Sequence, residues 1–311
     1  MKTIKLNGVD EVIYYKEDAN NNYVTFTTKF GSIYNEFTPI GKSKMIKVPN
    51  GIAHFLEHKV FAQEEDPQPD EFFAESGALS NAYTTFKNTT YLFSGPSKLK
   101  ENICFLLDYV QQPYFTDDNV DSEKGIITQE IHMCDDNPQD VMYEHIRKNA
   151  FYNNPFKNSI IGTVEDINSI TKETLFTCYN TFYHPENMFL VVTGNFDPNE
   201  IINIIEENQN KKQFKKLDKI NIKEYKEKDT VVKEKEIIDS NTEISKVSYN
   251  IKISLKNLNI SKRKYNIYLF IIFSLLFDES SIFDEEAKEE KIITNTLYIN
   301  ILNCDTHALI S

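Results

Sequence analysis

Two histidines one helical turn apart, with a glutamate between them, form the residue set with the clearest capacity for chemistry. They are His54, Glu57 and His58 in Gly51-Ile52-Ala53-His54-Phe55-Leu56-Glu57-His58. On a helix, positions i and i+4 project both imidazoles from one face. That spacing suits two ligands of one tetrahedral zinc at roughly 2.0–2.1 Å. Glu57 is i+3 from His54, on an adjacent strip, where it can reach a zinc-held water without being a ligand. H-x-x-E-H is the H-E-x-x-H pattern in reversed chain direction, so the histidines are assigned as ligands and Glu57 as general base. A chain of this composition shows the pattern by chance about 2% of the time. The competing reading is a solvated helix carrying two histidines and a carboxylate. A catalytic zinc takes three protein ligands, so the motif demands another.

The segment Asp117–Cys134 can supply it. Glu123 and Glu130 are seven apart, two turns on one face, within Glu123-Lys124-Gly125-Ile126-Ile127-Thr128-Gln129-Glu130. Two acids on a shared face usually form a solvated stripe, but Ile126 and Ile127 predict a helix with one buried side. Spacing does not choose between Glu123 and Glu130. His132 and His145 read as ordinary helix residues. Cys104, Cys134, Cys178 and Cys304 form no C-x-x-C pair and read as reduced thiols, Cys134 being the one that could approach the metal.

The elements that must position these groups are legible in outline. Val24–Gly31 is β-branched and aromatic, a strand running into a loop. Pro49 and Gly51 open a helix from Ile52 to Phe61, with Ala53, Leu56 and Val60 as its apolar stripe. Glu64–Asp70 is a loop, and a helix near Asp70–Ser76 ends at Gly77. Leu79–Ser94 reads as strand, turn near Lys87-Asn88, and strand. Helices follow at Ile103–Gln111 and Asp117–Cys134, the latter capped by Thr116 or Asp117. Asn187–Gly194 is a buried strand. From Glu206 to Asp239 the composition turns to Lys, Glu and Asn, which predicts a solvated boundary. Beyond it the opening pattern returns as Ser245–Leu255, Lys264–Phe277 and Asn295–Leu309, a weak internal repeat that stops early. The expected organisation is a zinc-binding domain at 1–205, a charged linker at 206–240 and the start of a second homologous domain at 241–311.

The 311 residues are 40% hydrophobic and 26% charged, ordinary globular values, with a net charge of −13 that disfavours nucleic acid as a partner. The N-terminal residues lack the apolar core of a secretory signal, and Arg147 and Arg263 are the whole arginine complement, which excludes an Arg-rich transit segment. Tyr265–Phe277 is too short to span a bilayer and reads as a buried helix. A cytoplasmic location and no membrane span are expected.

The chain resembles the pitrilysin/insulinase family of zinc peptidases, which includes the mitochondrial processing peptidases, and most of all its short bacterial members. Beyond H-x-x-E-H, the resemblance rests on Gly77 with Asn81-Ala82-Tyr83-Thr84, on Glu123-Lys124-Gly125-Ile126-Ile127 with Glu130, on Ile161-Gly162-Thr163 and on Tyr183-His184-Pro185-Glu186-Asn187-Met188. These cover roughly residues 24–200 in the family's order. The resemblance implies an α+β fold, the insulinase/pitrilysin-like α/β roll: an antiparallel-rich sheet with helices on one side, here a complete first domain and a truncated second. It implies one Zn2+ per chain held by His54, His58 and Glu130, Glu57 as general base, and Glu123 as an additional carboxylate supporting the site. Asn81, Ala82, Tyr83 and Thr84 resemble the strand edge that takes extended peptides by β-augmentation; for Asn81 a turn amide is the alternative. The activity implied is zinc-dependent hydrolysis of short or unfolded peptides. Family members of this kind draw an Arg and a Tyr from their second domain to stabilise the tetrahedral intermediate, and neither Arg147 nor Arg263 sits in a matching place. Three readings follow: a peptidase completed by more chain or by a homologous partner subunit, a non-catalytic subunit of a heterodimer, or a truncated product.

Overall fold

Alternating apolar positions and well-placed turn residues give this chain its first sheet. The computed structural model describes residues 2–6, 9–16, 18–64, 67–239, 242, 245–256, 259–293, 297–304 and 306–311, with residues 2–15 described by backbone alone. In chain order the elements are β1 (Lys2–Leu6), β2 (Val9–Tyr15), β3 (Asn22–Thr28), β4 (Glu36–Thr38), β5 (Ile46–Lys47), α1 (Ile52–Phe61), α2 (Pro69–Glu75), β6 (Leu79–Thr84) and β7 (Thr89–Gly95). Then come α3 (Leu99–Val110), α4 (Asp117–Asp135), α5 (Pro138–Ala150), α6 (Val164–Ser169), α7 (Lys172–Phe182), β8 (Met188–Gly194) and α8 (Pro198–Asn210). The remainder are β9 (Asn221–Ile222), β10 (Ile251–Ser254), α9 (Lys262–Phe277), α10 (Ile282–Glu289), β11 (Ile301–Asn303) and β12 (His307–Ile310).

These elements form two units, Met1–Asn137 with Asn158–Glu224, and Pro138–Lys157 with Tyr225–Ser311. The first holds a six-stranded sheet in the order β1-β2-β8-β3-β7-β6. Its pairs are antiparallel except β2 with β8. In β8 the alternate residues Met188, Leu190 and Val192 are fully buried while those between are partly exposed, so one face carries the core. Leu56, Leu106, Leu175 and Ile205, from α1, α3, α7 and α8, join Val24, Phe26 and Phe93 in that core. This is the expected antiparallel-rich α+β architecture. The Gly77 turn after α2 has φ +70, as its C′ position requires.

The second unit repeats part of the first. Its sheet runs β10-β12-β11, each pair antiparallel, just as β3-β7-β6 does. In both units a helical pair intervenes between the first and second of these strands in sequence, α1 and α2 in one, α9 and α10 in the other. The weak internal repeat is thus a repeat of topology. A buried ion pair, Lys252 Nζ to Glu227 Oε1 at 2.9 Å, ties β10 to the turn after α5, where Glu227 also accepts from the backbone N–H groups of Tyr152, Asn153 and Asn154.

Four expectations change. The segment 206–240 is not one linker: α8 ends in it with Asn208 and Gln209 buried, β9 pairs with β4, and the change of unit falls after Glu224. Ile126 is exposed and Ile127 alone of that pair is buried. The Ser245–Leu255 strand is confined to β10, and Asn295 lies outside the described residues. The apolar run Tyr265–Phe277 forms α9, but it is not buried: Leu275 is 75% and Phe270 63% exposed, because the elements packed on it are few. By length and composition the run Lys262–Glu289 meets the requirement for crossing a membrane, with 11% of its most apolar window buried. Asp278 to Ser281 divides it, and the 16 residues of α9 span about 24 Å, short of a hydrocarbon core of about 30 Å.

Candidate metal centre

The start of α1 is fixed by backbone that tolerates no side chain. Gly51, the N-cap, has φ +78, and a Cβ there would collide with the carbonyl oxygen of Ile161. Gly162 has φ +80, and a Cβ on it would lie 2.7 Å from the carbonyl oxygen of Asn50. The Asn50 side chain closes the junction, accepting from Asn35 at 2.7 Å and Asn158 at 3.1 Å and donating to Asp166 Oδ2 at 3.0 Å. The Ile161-Gly162-Thr163 stretch therefore works as a seat for the first turn of α1. Ala53, Leu56 and Val60 face the core as their spacing predicts, and Phe55 is fully buried as well.

From that helix His54 and His58 emerge on one side, their ring centroids 4.6 Å apart. Glu130 arrives from α4, whose start is held by a capping box between Thr116 and Asn119. His54 Nε2 lies 3.5 Å from Glu130 Oε1, and His58 Nε2 lies 3.5 Å from Glu130 Oε2. Among the described residues His54, His58 and Glu130 are the group of metal-ligand type whose atoms lie within 4.8 Å of one another. Ligands of a tetrahedral zinc, each at 2.0–2.2 Å, sit about 3.4 Å apart, and each histidine stands close to that distance from one oxygen of Glu130. Glu123 stands behind: its Oε1 is 3.0 Å from His58 Nδ1. The structure thus separates two carboxylates that spacing left equivalent. Glu130 faces both Nε2 atoms, and Glu123 faces the far side of one ring.

The electrostatics agree with a site built for a cation. Burial alone would lower the His58 pKa, but hydrogen bonds and charges from Glu123 and Glu130 outweigh it and raise it to about 9. Hydrogen bonds from His54 and His58 hold the Glu130 carboxyl well below the usual range against the opposing effect of burial. Burial pushes the Glu123 carboxyl up, yet His58 and Lys59 bring it below its ordinary value. Glu57 is outside the ligand group, its Oε2 accepting a 2.5 Å hydrogen bond from Thr84 Oγ1 on β6. Below it lies Tyr91, whose hydroxyl is 2.8 Å from that of Tyr183, the first residue of the Tyr183-His184-Pro185 stretch.

β6 is the outer strand of the six-stranded sheet, with Leu79 and Tyr83 exposed. Asn81 is inside this strand rather than in a turn, and its Oδ1 accepts from the Ala82 N–H at 2.8 Å. His132, on α4, stands outside the metal-ligand group, and so does Cys134. His145 lies in the second unit, 2.8 Å from Glu236.

Residues 46–164 match the family described as Insulinase (Peptidase family M16), and residues 169–302 match the Peptidase M16 inactive domain. An uncharacterized zinc protease of Bacillus subtilis (strain 168), YmfH, is 41% identical over 292 residues, which is 93% of this chain and 68% of that protein. The chain belongs to the insulinase family of peptidases. A crystal structure of an M16-like peptidase from Alicyclobacillus acidocaldarius is similar to this insulinase-family chain with a TM-score of 0.91 and 34% identity, over 99% of this chain and 73% of that one. The beta subunit of the mitochondrial-processing peptidase of Rattus norvegicus is 31% identical over 159 residues, 50% of this chain and 32% of that protein. The chain spans about two thirds of the Bacillus protein and under half of an uncharacterized zinc protease of Rickettsia felis, of which 47% is covered.

Some groups at the site of this insulinase-family chain escaped sequence reasoning. Thr84 is expected from sequence at a peptide-binding edge; in the structure its hydroxyl holds Glu57. Asn50 and Asp166 belong to none of the motifs named above, yet they lock the start of α1. Lys59, adjacent to His58, is 2% exposed and its Nζ lies 3.6 Å from Glu123 Oε2. A lysine this buried is the one signal that spacing could have flagged, because position 59 falls within the apolar stripe next to Leu56 and Val60.

Proposed function

We propose that this chain is a zinc-dependent endopeptidase acting on short or unfolded peptides, with His54, His58 and Glu130 as ligands of one Zn2+ and Glu57 as general base. The observation that carries the reading is the convergence of Glu130 with His54 and His58, two histidines on the helix that also carries Glu57 with its Oε2 held by Thr84. When bound, zinc would supply a Lewis acid for the scissile carbonyl and an acidified water. Thr84 holds Oε2 of Glu57 and leaves Oε1 to take the proton of the attacking water and hand it to the leaving amine. Glu123 orients His58 through Nδ1. The exposed edge of β6 offers an extended peptide a strand to join, running through Ala82 toward Glu57.

Both arginines lie in the second unit, so the unit carrying the histidines has none. We propose that a homologous partner subunit supplies a donor for the tetrahedral oxyanion. Lack of one such donor lowers the rate by about 10²–10³. The relatives named as beta subunits favour a partner-dependent reading, in which the chain alone binds zinc and cleaves slowly.

The deciding experiment measures zinc content and cleavage of unfolded peptides together. Glu57→Gln is expected to abolish cleavage with zinc near one per chain, and full activity would remove Glu57 from the role of base. Glu130→Ala is expected to lose most of the zinc; unchanged zinc would move the third ligand elsewhere.

A further inference from the structure

We infer that Lys59 is a positioning residue of the metal centre: its buried ammonium holds Glu123 so that this carboxylate fixes the ring of His58. The inference rests on the metal reading above and concerns a residue outside the ligand set. Lysine is almost never fully buried unless paired, and Lys59 is 2% exposed. Its Nζ faces Glu123 Oε2 at 3.6 Å, while the other oxygen of the same carboxylate, Oε1, meets His58 Nδ1 at 3.0 Å. The two oxygens are thus divided between an ammonium and an imidazole.

A carboxylate rotates freely about its last bond unless both oxygens are engaged. With Lys59 on Oε2, Oε1 is held where His58 Nδ1–H can donate to it. The ring is then fixed with Nε2 toward Glu130 Oε2, 3.5 Å away. A partner on the distal nitrogen sets both tautomer and orientation of a ligating histidine. Among the described residues the ion pair of Lys59 is with Glu123, and its effect on His58 is read through that carboxylate. Its neighbours Leu56 and Val60 are fully buried, so the stem of Lys59 runs through apolar surroundings.

The test is a double-mutant cycle on the full 311-residue chain, using Lys59→Met, Glu123→Gln and the pair. Zinc affinity is read by competition with a chromophoric chelator. Each single variant is expected to weaken zinc binding about 10–100-fold, the usual range for the partners of metal ligands. The double variant is expected to bind no more weakly than Glu123→Gln alone. Wild-type affinity in Lys59→Met, or losses that simply multiply in the double variant, would overturn the assignment. Lys59→Arg keeps the cation and is expected to stay nearer to wild type than Lys59→Met; the reverse order would count against it. Should Lys59→Met lack a cooperative unfolding transition, Lys59→Gln takes its place in the cycle. The same cycle is run by urea unfolding of metal-free protein. A wild-type chain that takes up no zinc fails the metal reading, and the unfolding cycle then decides the Lys59–Glu123 link by itself, additivity overturning it.

Discussion

In the proposed metal centre a proton and a zinc ion compete for one nitrogen of His58. The carboxylates around the ring raise its pKa to about 9 from an ordinary 6.5. In metal-free protein the stability this contributes is fully present below about pH 6.5 and is lost as pH rises through about 9. Zinc affinity runs the other way, rising by up to tenfold per pH unit across the same window as the proton leaves. Urea unfolding with chelator present, and zinc competition without it, are expected to show these opposed trends between pH 6.5 and 9. His58→Gln should flatten the first, and parallel trends would contradict the assignment. Much at this scale was legible: one helical turn between His54 and His58 implies a shared ion, and the choice of Glu130 over Glu123 came with family resemblance. The Thr84 to Glu57 bond and the Lys59 to Glu123 pair were not legible, because each joins distant segments whose register only packing decides.

Among the elements, α1 depends most on backbone that admits no side chain. Gly51 sits in the left-handed region with the Ile161 carbonyl where a Cβ would go. Gly51→Ala is therefore expected to destabilise the fold by about 1–3 kcal/mol, the scale of a residue forced into a sparse backbone region. The urea midpoint reads this, and an unchanged midpoint would show that the seat of α1 can shift. Apolar periodicity located α1, α4, β6 and β7 within a few residues, and Gly77 gave the end of α2. It placed His145 in a helix without giving the bounds of α5, Pro138–Ala150. Nor did it describe the setting of α9 correctly. An apolar run states that a segment gains from burial, while burial itself depends on what packs there; among the described residues α10 meets α9 through Phe277 and Phe283.

For the molecule as a whole, the division into two units has a thermodynamic signature. All four of His54, His58, Glu123 and Glu130 belong to the first unit. A ligand stabilises the part that binds it, so calorimetry is expected to resolve two transitions, one rising with added zinc and one indifferent to it. A single transition that moves as a block would show the units to be thermodynamically coupled. Composition announced a two-part chain but misplaced its seams. It assumes contiguous segments, whereas Pro138–Lys157 is an excursion into the second unit from within the first. No linear shift in residue usage marks such an excursion.

The small bond between Asn81 and the Ala82 amide bears on how fast a peptide edge could turn over. Because the amide is already satisfied, an arriving strand exchanges one hydrogen bond for another at that position and gains little there. Affinity then has to come from its other contacts along β6. A departing fragment leaves no unsatisfied group behind it, so release carries no penalty at Ala82. An edge of this kind favours brief residence, which suits the peptide-binding role proposed for it.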